Sequence, residues 1–156
     1  MSTDNKYTQL YLRVALGIGF IVPVLDRLGM VGAPGQPNIS WGTWDNFIGF
    51  TGVLMPYLSK PLVLGAGFFA TLLEAIFGIC LIIGYKTRLM ALGSFALTLI
   101  FGLSMVAFLG YKAPLNFSVF PCSAGSLLLA TLTNFDFSID QYLNKKSISD
   151  LRTFNK

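Results

Sequence analysis

Four stretches of this chain are apolar over the ~20 residues that an α-helix needs to cross the hydrocarbon core of a bilayer. Inside lipid, every backbone N–H and C=O group must be hydrogen-bonded within the protein, so such stretches fold as helices. The sequence therefore predicts an all-α fold, a four-transmembrane-helix antiparallel bundle that occupies residues 1–135. The predicted spans are residues 7–28, 61–85, 89–109 and 114–132, of which the last is the weakest because several polar residues interrupt it.

The composition favours a membrane protein and excludes several kinds of site. Only 12% of the 156 residues are charged, against ~25% in an ordinary globular protein, and 54% are hydrophobic. The chain has no histidine, which excludes the usual axial ligand of a haem, a His-ligated zinc or copper site and a Ser-His-Asp triad. The net charge of +4 comes without a basic patch interleaved with aromatic residues, so nucleic-acid binding is not expected.

The two cysteines do not form a metal or redox motif. Cys80 and Cys122 lack CxxC spacing and lie in different apolar stretches, nearer to opposite sides of the membrane. We therefore expect both thiols to stay reduced, and we expect the chain to bind no metal, haem or covalent cofactor and not to be catalytic on its own. Cys122 also belongs to a stripe of small residues in the fourth span that would let helix backbones pack closely, formed by Ser118, Cys122, Ser126 and Ala130.

The distribution of basic residues predicts the orientation in the membrane. The loop between the second and third spans is only a few residues around Lys86, which makes these spans a helical hairpin, and an even number of spans puts both termini on one side. The positive-inside rule makes the more basic side cytoplasmic. In a bacterial inner membrane, residues 29–60 are then periplasmic and the tail, residues 136–156, is cytoplasmic. The cytoplasmic side has eight basic residues, Lys6, Arg13, Lys86, Arg88, Lys145, Lys146, Arg152 and Lys156, and the other side has three, Arg27, Lys60 and Lys112.

The first span and the loop that follows it carry two further expectations. The first span has neither the basic cluster nor the cleavage site of a signal peptide, so we expect it to be retained. Residues 29–37 are rich in glycine and proline and predict a loop. From Trp41 onward the apolar residues recur at helical spacing, which predicts a short interfacial helix anchored by Trp41 and Trp44. This helix either only anchors the protein or covers a site between the spans.

Glu74 is the one carboxylate that the sequence places near the middle of the membrane. A charge at that depth costs ~2.5–3.5 kcal/mol on insertion scales, so such residues normally face the interior of a bundle and find a partner. Gly67, Thr71 and Gly78 lie on the same helix face at spacings of three and four residues, and we expect this face to pack against other helices. Two roles stay open for Glu74: an acid that holds helices together, or a group that binds a ligand or handles a proton.

Four further charged side chains are candidates for a functional or buried polar role. Arg13 and Arg88 lie near the cytoplasmic ends of their spans, where a long side chain can also extend to the interface. Asp26 and Arg27 form a charge pair at the outer end of the first span, and either line the mouth of a site or mark the interface. The basic tail can lie on anionic lipid or dock a partner through spaced apolar residues, Ile148, Leu151 and Phe154.

Taken in order, these features resemble the DoxX-like family of four-helix integral membrane proteins. The hairpin carries the most specific part of the likeness: an acid, Glu74, a glycine four residues on, a glycine before the turn, and then Thr87 and Arg88. Arg13 near the start of the first span and Arg27 at its end also fit. The similar segments are YLRVALGIGFIVPVLDRLG, WDNFIGFTGVLMPYLSKPL, LLEAIFGICLIIGYKTRLMAL and FDFSID.

The resemblance implies a membrane subunit that is associated with redox proteins. Members of the family include the small membrane subunit of thiosulfate:quinone oxidoreductase and a membrane protein of methylamine-dehydrogenase maturation. Many relatives carry a histidine near the outer end of the third span, where this chain has Tyr111 and Lys112. A role that depends on that histidine is therefore not expected here.

These observations leave three readings of the function. The first is a non-catalytic subunit of a membrane complex, quinone-linked and redox-active, in which a partner supplies the cofactors and quinone is the one small molecule this chain could contact. The second is a structural or assembly subunit of a larger cell-envelope machine, and the third is a small-solute or proton carrier built around Glu74. All three place the chain in the lipid bilayer of a bacterial inner membrane, and the first two add other membrane or periplasmic subunits as partners.

Overall fold

The computed structural model describes the backbone of residues 3–145 and the side chains of residues 6–145, and over this range the chain is helical without strands. The basic and apolar tail residues from Lys146 onward lie outside the described residues. The helices are α1 (Thr3–Arg27), α2 (Trp44–Leu54), α3 (Lys60–Ile83), α4 (Thr87–Leu109), α5 (Lys112–Asn116) and α6 (Val119–Thr131). A further helix, α7, occupies residues 139–145.

Three of the helices are long and apolar enough to cross a membrane: Lys6–Arg27 with 22 residues, Lys60–Ile83 with 24 and Thr87–Leu109 with 23. Their bounds follow the first three predicted spans closely. Many of their large apolar side chains are exposed, for example Phe68 at 63% and Ile100 at 59%. An outward apolar surface of this kind is stable against lipid and costly in water.

The predicted fourth span is not one continuous helix. It is divided into α5, of five residues, and α6, of 13 residues, and 13 residues rise only ~20 Å along a helix axis. Ser118 between them has φ +53°, a left-handed backbone that a continuing right-handed helix does not allow. The region 112–131 is therefore a broken helix, which corrects the prediction of a regular span.

The long helices pack as two close pairs, α1 on α3 and α4 on α6. Gly17 and Gly78 form the crossing point of α1 and α3, where a β-carbon on Gly17 would lie 2.8 Å from the carbonyl oxygen of Gly78. The turn between α3 and α4 joins the pairs, and Phe77 packs against α4 where Gly93 leaves room for its ring. By contrast, α1 and α6 touch sparsely, which leaves space between them.

The end of the bundle that carries the α3–α4 turn, here called the hairpin end, also holds the last described residues. Asp140 accepts hydrogen bonds from the backbone N–H groups of Lys86 and Thr87, both at 2.8 Å, and so caps the start of α4. The Arg13 guanidinium is fully buried and donates to the carbonyl oxygens of Asp136, at 3.3 Å, and Phe137, at 2.7 Å. The first half of α1 and the segment after α6 thus lie at the same end of the bundle.

Candidate functional site

An ion pair inside the bundle joins α1 to α3. Arg27, the last residue of α1, places its Nη2 2.6 Å from Oε2 of Glu74, and the two side chains are 2% and 18% exposed. The Arg27 Nε donates to the carbonyl oxygen of Pro23 at 3.0 Å, and its Nη1 donates to the Thr71 hydroxyl at 2.8 Å. Side chains on a helix lean toward its N-terminus, which lets an arginine at the end of α1 reach back toward the middle of α3. Glu74 therefore faces inward, as its helix face indicates.

Aromatic rings from the α2 region cover the Arg27 guanidinium. Its central carbon lies 3.9 Å from the ring centre of Phe47 and 5.2 Å from that of Trp41. Cations are attracted to aromatic faces at such distances, and more strongly where water is excluded. The guanidinium is thus held by a carboxylate, a hydroxyl, a carbonyl and two rings.

Asp26 organises the loop that carries Trp41. Its buried carboxylate accepts three backbone hydrogen bonds, from Ser40 at 3.0 Å, Trp41 at 3.2 Å and Gly42 at 3.0 Å. Gly42 has φ +65°, and a β-carbon there would lie 2.6 Å from the backbone nitrogen of Pro34. The two neighbouring residues thus have different direct partners, since Asp26 binds the loop and Arg27 binds Glu74.

A cavity of about 420 Å³ lies between α1 and α6 and ends at the Arg27–Glu74 pair. Pockets of ~300–1,000 Å³ are typical of small-molecule sites, which are mostly apolar with a few polar groups. This cavity follows that pattern, because its polar lining consists of the Arg27–Glu74 ion pair and the hydroxyl of Thr98. The remaining lining is apolar or aromatic and includes Leu16, Phe20, Phe50, Phe101, Met105 and Val119, together with Trp41.

The cavity opens sideways through a slot between α1 and α6. Ala15 and Gly19 on α1 and Pro121 and Cys122 on α6 both line the cavity and are exposed at the surface of the bundle. A β-carbon on Gly19 would meet no atom within 4 Å, so nothing blocks the opening at that level. Small side chains on both helices thus leave a passage from the apolar exterior to the buried ion pair.

The other predicted site residues lie away from this cavity or contribute only to packing. Arg13 is not extended to the surface but is bound to backbone carbonyls at the hairpin end, whereas Arg88 is exposed there. Gly67 and Gly78 lie on the α3 face that packs against α2 and α1, respectively. Trp44 packs against Phe47 with ring centres 5.5 Å apart.

Only two of the four residues in the predicted small-residue stripe of the fourth span are buried. Ser126 and Ala130 are buried at 0% and 3% exposure. Ser118 and Cys122 are exposed instead: Ser118 lies before the first residue of α6, and Cys122 lies within α6 but faces the opening between α1 and α6. Ser123 takes the inner position, and its hydroxyl donates to the carbonyl oxygen of Phe95 on α4 at 3.4 Å. Both cysteines are free.

Sequence reasoning missed several residues of the cavity. Thr98, Phe50, Phe101 and Gly19 were not predicted to belong to a site, and Trp41 was predicted only as an anchor. Ala15 and Gly19 lie four residues apart on one face of α1, and two small residues at this spacing indicate a face with little side-chain volume. Across residues 3–145, no three His, Cys, Asp or Glu side chains come together as a metal-ligand set.

Comparison with known proteins identifies the family. The family model described as TQO small subunit DoxD matches residues 9–153, which is most of the chain. No curated protein and no solved structure matches it. The match agrees with the three long apolar helices and with the DoxX-like pattern of the hairpin. The chain is thus a multi-pass membrane protein that belongs to the DoxD family.

Proposed function

We propose that this chain is a non-catalytic membrane subunit of a quinone-linked redox complex, and that the cavity between α1 and α6 holds the quinone. Membership of the DoxD family supports the redox complex. The lateral slot is the observation that carries the site, because a ligand that enters from the side of the bundle must be dissolved in the bilayer. A partner subunit supplies the electrons, and the quinone, when bound, accepts them.

The polar end of the cavity suits a quinone headgroup. A guanidinium has five N–H donors, and three groups, Pro23, Thr71 and Glu74, account for three of those on Arg27. The donors that are left can bind a carbonyl oxygen, while the pairing with Glu74 keeps the site electrically neutral. Arg27 thus orients the headgroup, and Glu74 and Thr71 hold Arg27 in place.

The walls of the cavity suit the ring and the tail of a quinone. Trp41, Phe50 and Phe101 form a chain of aromatic contacts with ring centres 6.0 Å and 6.4 Å apart, next to the ion pair. Aromatic rings favour offset or edge contacts with another flat ring at such distances. An isoprenoid tail would leave through the slot past Gly19 and Cys122, where only small side chains stand in its path.

The slot also provides the test. Gly19→Phe adds a ring where a β-carbon meets nothing, so it should close the slot without disturbing the helix packing. Gly65→Phe is the matched control, since Gly65 on α3 is equally open and lies away from the cavity. The measurement is the amount of quinone that copurifies with the full chain from quinone-containing membranes.

We expect wild type and Gly65→Phe to retain quinone and Gly19→Phe to lose most of it while it still copurifies with its partner subunits. The proposal fails if wild type carries no quinone, or if both variants retain it equally. A different pair of results would favour the alternative, a structural or assembly subunit of an envelope machine. In that case the wild type carries no quinone, and Gly19→Phe no longer copurifies with the partner subunits.

A further inference from the structure

A second pocket, of about 650 Å³, lies at the hairpin end, on the outside of the bundle and away from the α1–α6 cavity. The start of α4 and the segment after α6 form it together. Its polar side contains Lys86 and Arg88, and its apolar side contains Leu89, Leu92, Leu132 and Leu143. The pocket therefore combines two cations with an apolar wall at the level where a membrane-spanning helix begins.

The two cations have no carboxylate partner of their own within the described part of the chain. Asp140 is the acid in the pocket, and both of its oxygens are already bound to the backbone N–H groups of Lys86 and Thr87. Asp136 is held by Gln141, whose Nε2 donates to it at 2.7 Å. The Lys86 ammonium lies 5.7 Å from the ring centre of Tyr85, and the Arg88 side chain is exposed. Lys86 and Arg88 outnumber the one carboxylate of the pocket, and neither cation is ion-paired with it among the described residues, so the pocket keeps an excess of positive charge.

The backbone at Lys86 places the side chain of this residue beside the pocket. Lys86 has φ +46°, a left-handed conformation that is unfavourable for a residue with a β-carbon. Glycine would adopt it without strain, so a lysine at this position is not explained by the turn itself. The hydrogen bond from its N–H group to Asp140 holds the strained residue, and its side chain with it, beside the pocket.

The apolar wall continues into the outer surface of the bundle. Leu89 is 58% exposed and Leu143 is 47% exposed, so the apolar side of the pocket is open to the surroundings of the bundle. A free inorganic anion gains nothing from such a wall, whereas a molecule with an anionic head and a hydrocarbon chain satisfies both sides of the pocket. We propose that this pocket binds an anionic phospholipid, with its phosphate at Lys86 and Arg88 and its acyl chain along Leu89 and Leu92.

The test measures lipid binding to the full chain in detergent by native mass spectrometry. The probes are phosphatidylglycerol and phosphatidylcholine with identical acyl chains, because they differ in headgroup charge. The variants are Lys86→Gln and Arg88→Gln, and Lys112→Gln is the control, since it removes an exposed cation far along the chain from the hairpin. Each basic residue near the membrane surface adds to the affinity for an anionic lipid. Removing one should therefore lower the affinity for phosphatidylglycerol about fivefold in each pocket variant.

The expected result is tighter binding of phosphatidylglycerol than of phosphatidylcholine by wild type and by Lys112→Gln, and a loss of this preference in the two pocket variants. Excess inorganic phosphate should not displace the lipid. Equal binding of the two lipids by wild type would overturn the proposal, as would an equal effect of Lys112→Gln. Displacement by phosphate would also overturn it, because it would make the pocket a site for a free anion.

Discussion

Gly17 of α1 lies directly against Gly78 of α3, so that a β-carbon on either residue would lie within 3.0 Å of the other's carbonyl oxygen. This contact fixes the register of the two helices. Arg27 is ten residues further along α1, and Glu74 is four residues before Gly78 on α3. Because the helices run in opposite directions, the glycine crossing brings the arginine and the glutamate to the same region of the bundle.

The glycine crossing predicts a position-specific cost for added volume. Gly78→Val should lower the free energy of unfolding by at least ~1–3 kcal/mol, because two methyl groups would be forced into Ile21 and the backbone of α1. Gly65→Val is the control on the same helix, since a β-carbon there meets nothing within 4 Å. Unfolding by denaturing detergent, followed by circular dichroism, measures both. Equal losses in the two variants would contradict this account of the crossing.

The Arg27–Glu74 pair predicts strong coupling between the two residues. Removing one partner of a buried pair costs ~3–5 kcal/mol, because the other charge is left uncompensated, whereas replacing both by apolar residues can be nearly neutral. Arg27→Met and Glu74→Leu should therefore each destabilise the protein severely, and the double variant should be more stable than either. The same unfolding assay measures the cycle, and additive losses would show that the residues act separately.

Glu74→Gln separates a structural role of Glu74 from a functional one. Glutamine keeps the volume and the hydrogen-bonding capacity but removes the charge that pairs with Arg27. The variant should be less stable than wild type, because the buried Arg27 loses its charged partner. If the charge serves a ligand or a proton, the protein that does assemble with its partners should lack the activity of the complex. Survival of both assembly and activity would make Glu74 a packing residue, and Glu74→Leu should then disrupt assembly. A Leu variant that assembles and works like wild type would exclude both roles.

The hydrogen bonds that Asp26 accepts from the loop predict that the position of Trp41 depends on this one carboxylate. Asp26→Ala removes the acceptor of three backbone N–H groups, which should cost ~1–3 kcal/mol for each group left buried without a partner. The loop should loosen, and Trp41 should become more accessible to an aqueous fluorescence quencher, measured with Trp44 replaced by Phe. Asp45→Ala is the control, because Asp45 is exposed in the first turn of α2. Unchanged quenching in Asp26→Ala would refute this anchoring role.

The extent of the long helices was predictable from the sequence, and the pairing of their charges was not. Hydropathy alone located α1, α3 and α4 to within a few residues, because the thickness of a bilayer sets the length of an apolar helix. Arg27 and Glu74 were both recognised as exceptional. They are 47 residues apart in the sequence, however, and their contact depends on how α1 crosses α3, which no local pattern specifies. The hydrogen bonds of Asp26 to the loop at residues 40–42 likewise depend on the folded chain and not on a local pattern.

The break in the fourth span was missed because polar residues alone do not end a helix. Asn116 and Ser118 lower the hydropathy of the span, but both are compatible with an uninterrupted helix. The readable signal was a pair of prolines: Pro114 and Pro121 each lie in the first turn of a separate helix, where the absent N–H group has no acceptor to lose. Two such prolines seven residues apart indicate two helix starts.

The orientation of the chain remains a prediction that labelling can measure. With both native cysteines replaced by alanine, Val31→Cys should react with a membrane-impermeant thiol reagent added to the periplasmic side, and Tyr142→Cys should not. Both positions are exposed, at 49% and 68%, so accessibility within the protein does not decide the outcome. The reversed pattern would place the termini in the periplasm and overturn the positive-inside assignment.

The contacts of Asp136, Phe137 and Asp140 also determine when the protein can finish folding during its synthesis. Until these residues leave the ribosome, the Arg13 guanidinium has no carbonyl partners in this region, and the N–H groups of Lys86 and Thr87 have no carboxylate. The hairpin and α1 are by then already synthesised and hold unsatisfied polar groups. Completion of the bundle is therefore coupled to the emergence of residues 136–140 from the ribosome, and a product truncated before residue 136 would keep these defects exposed to quality control.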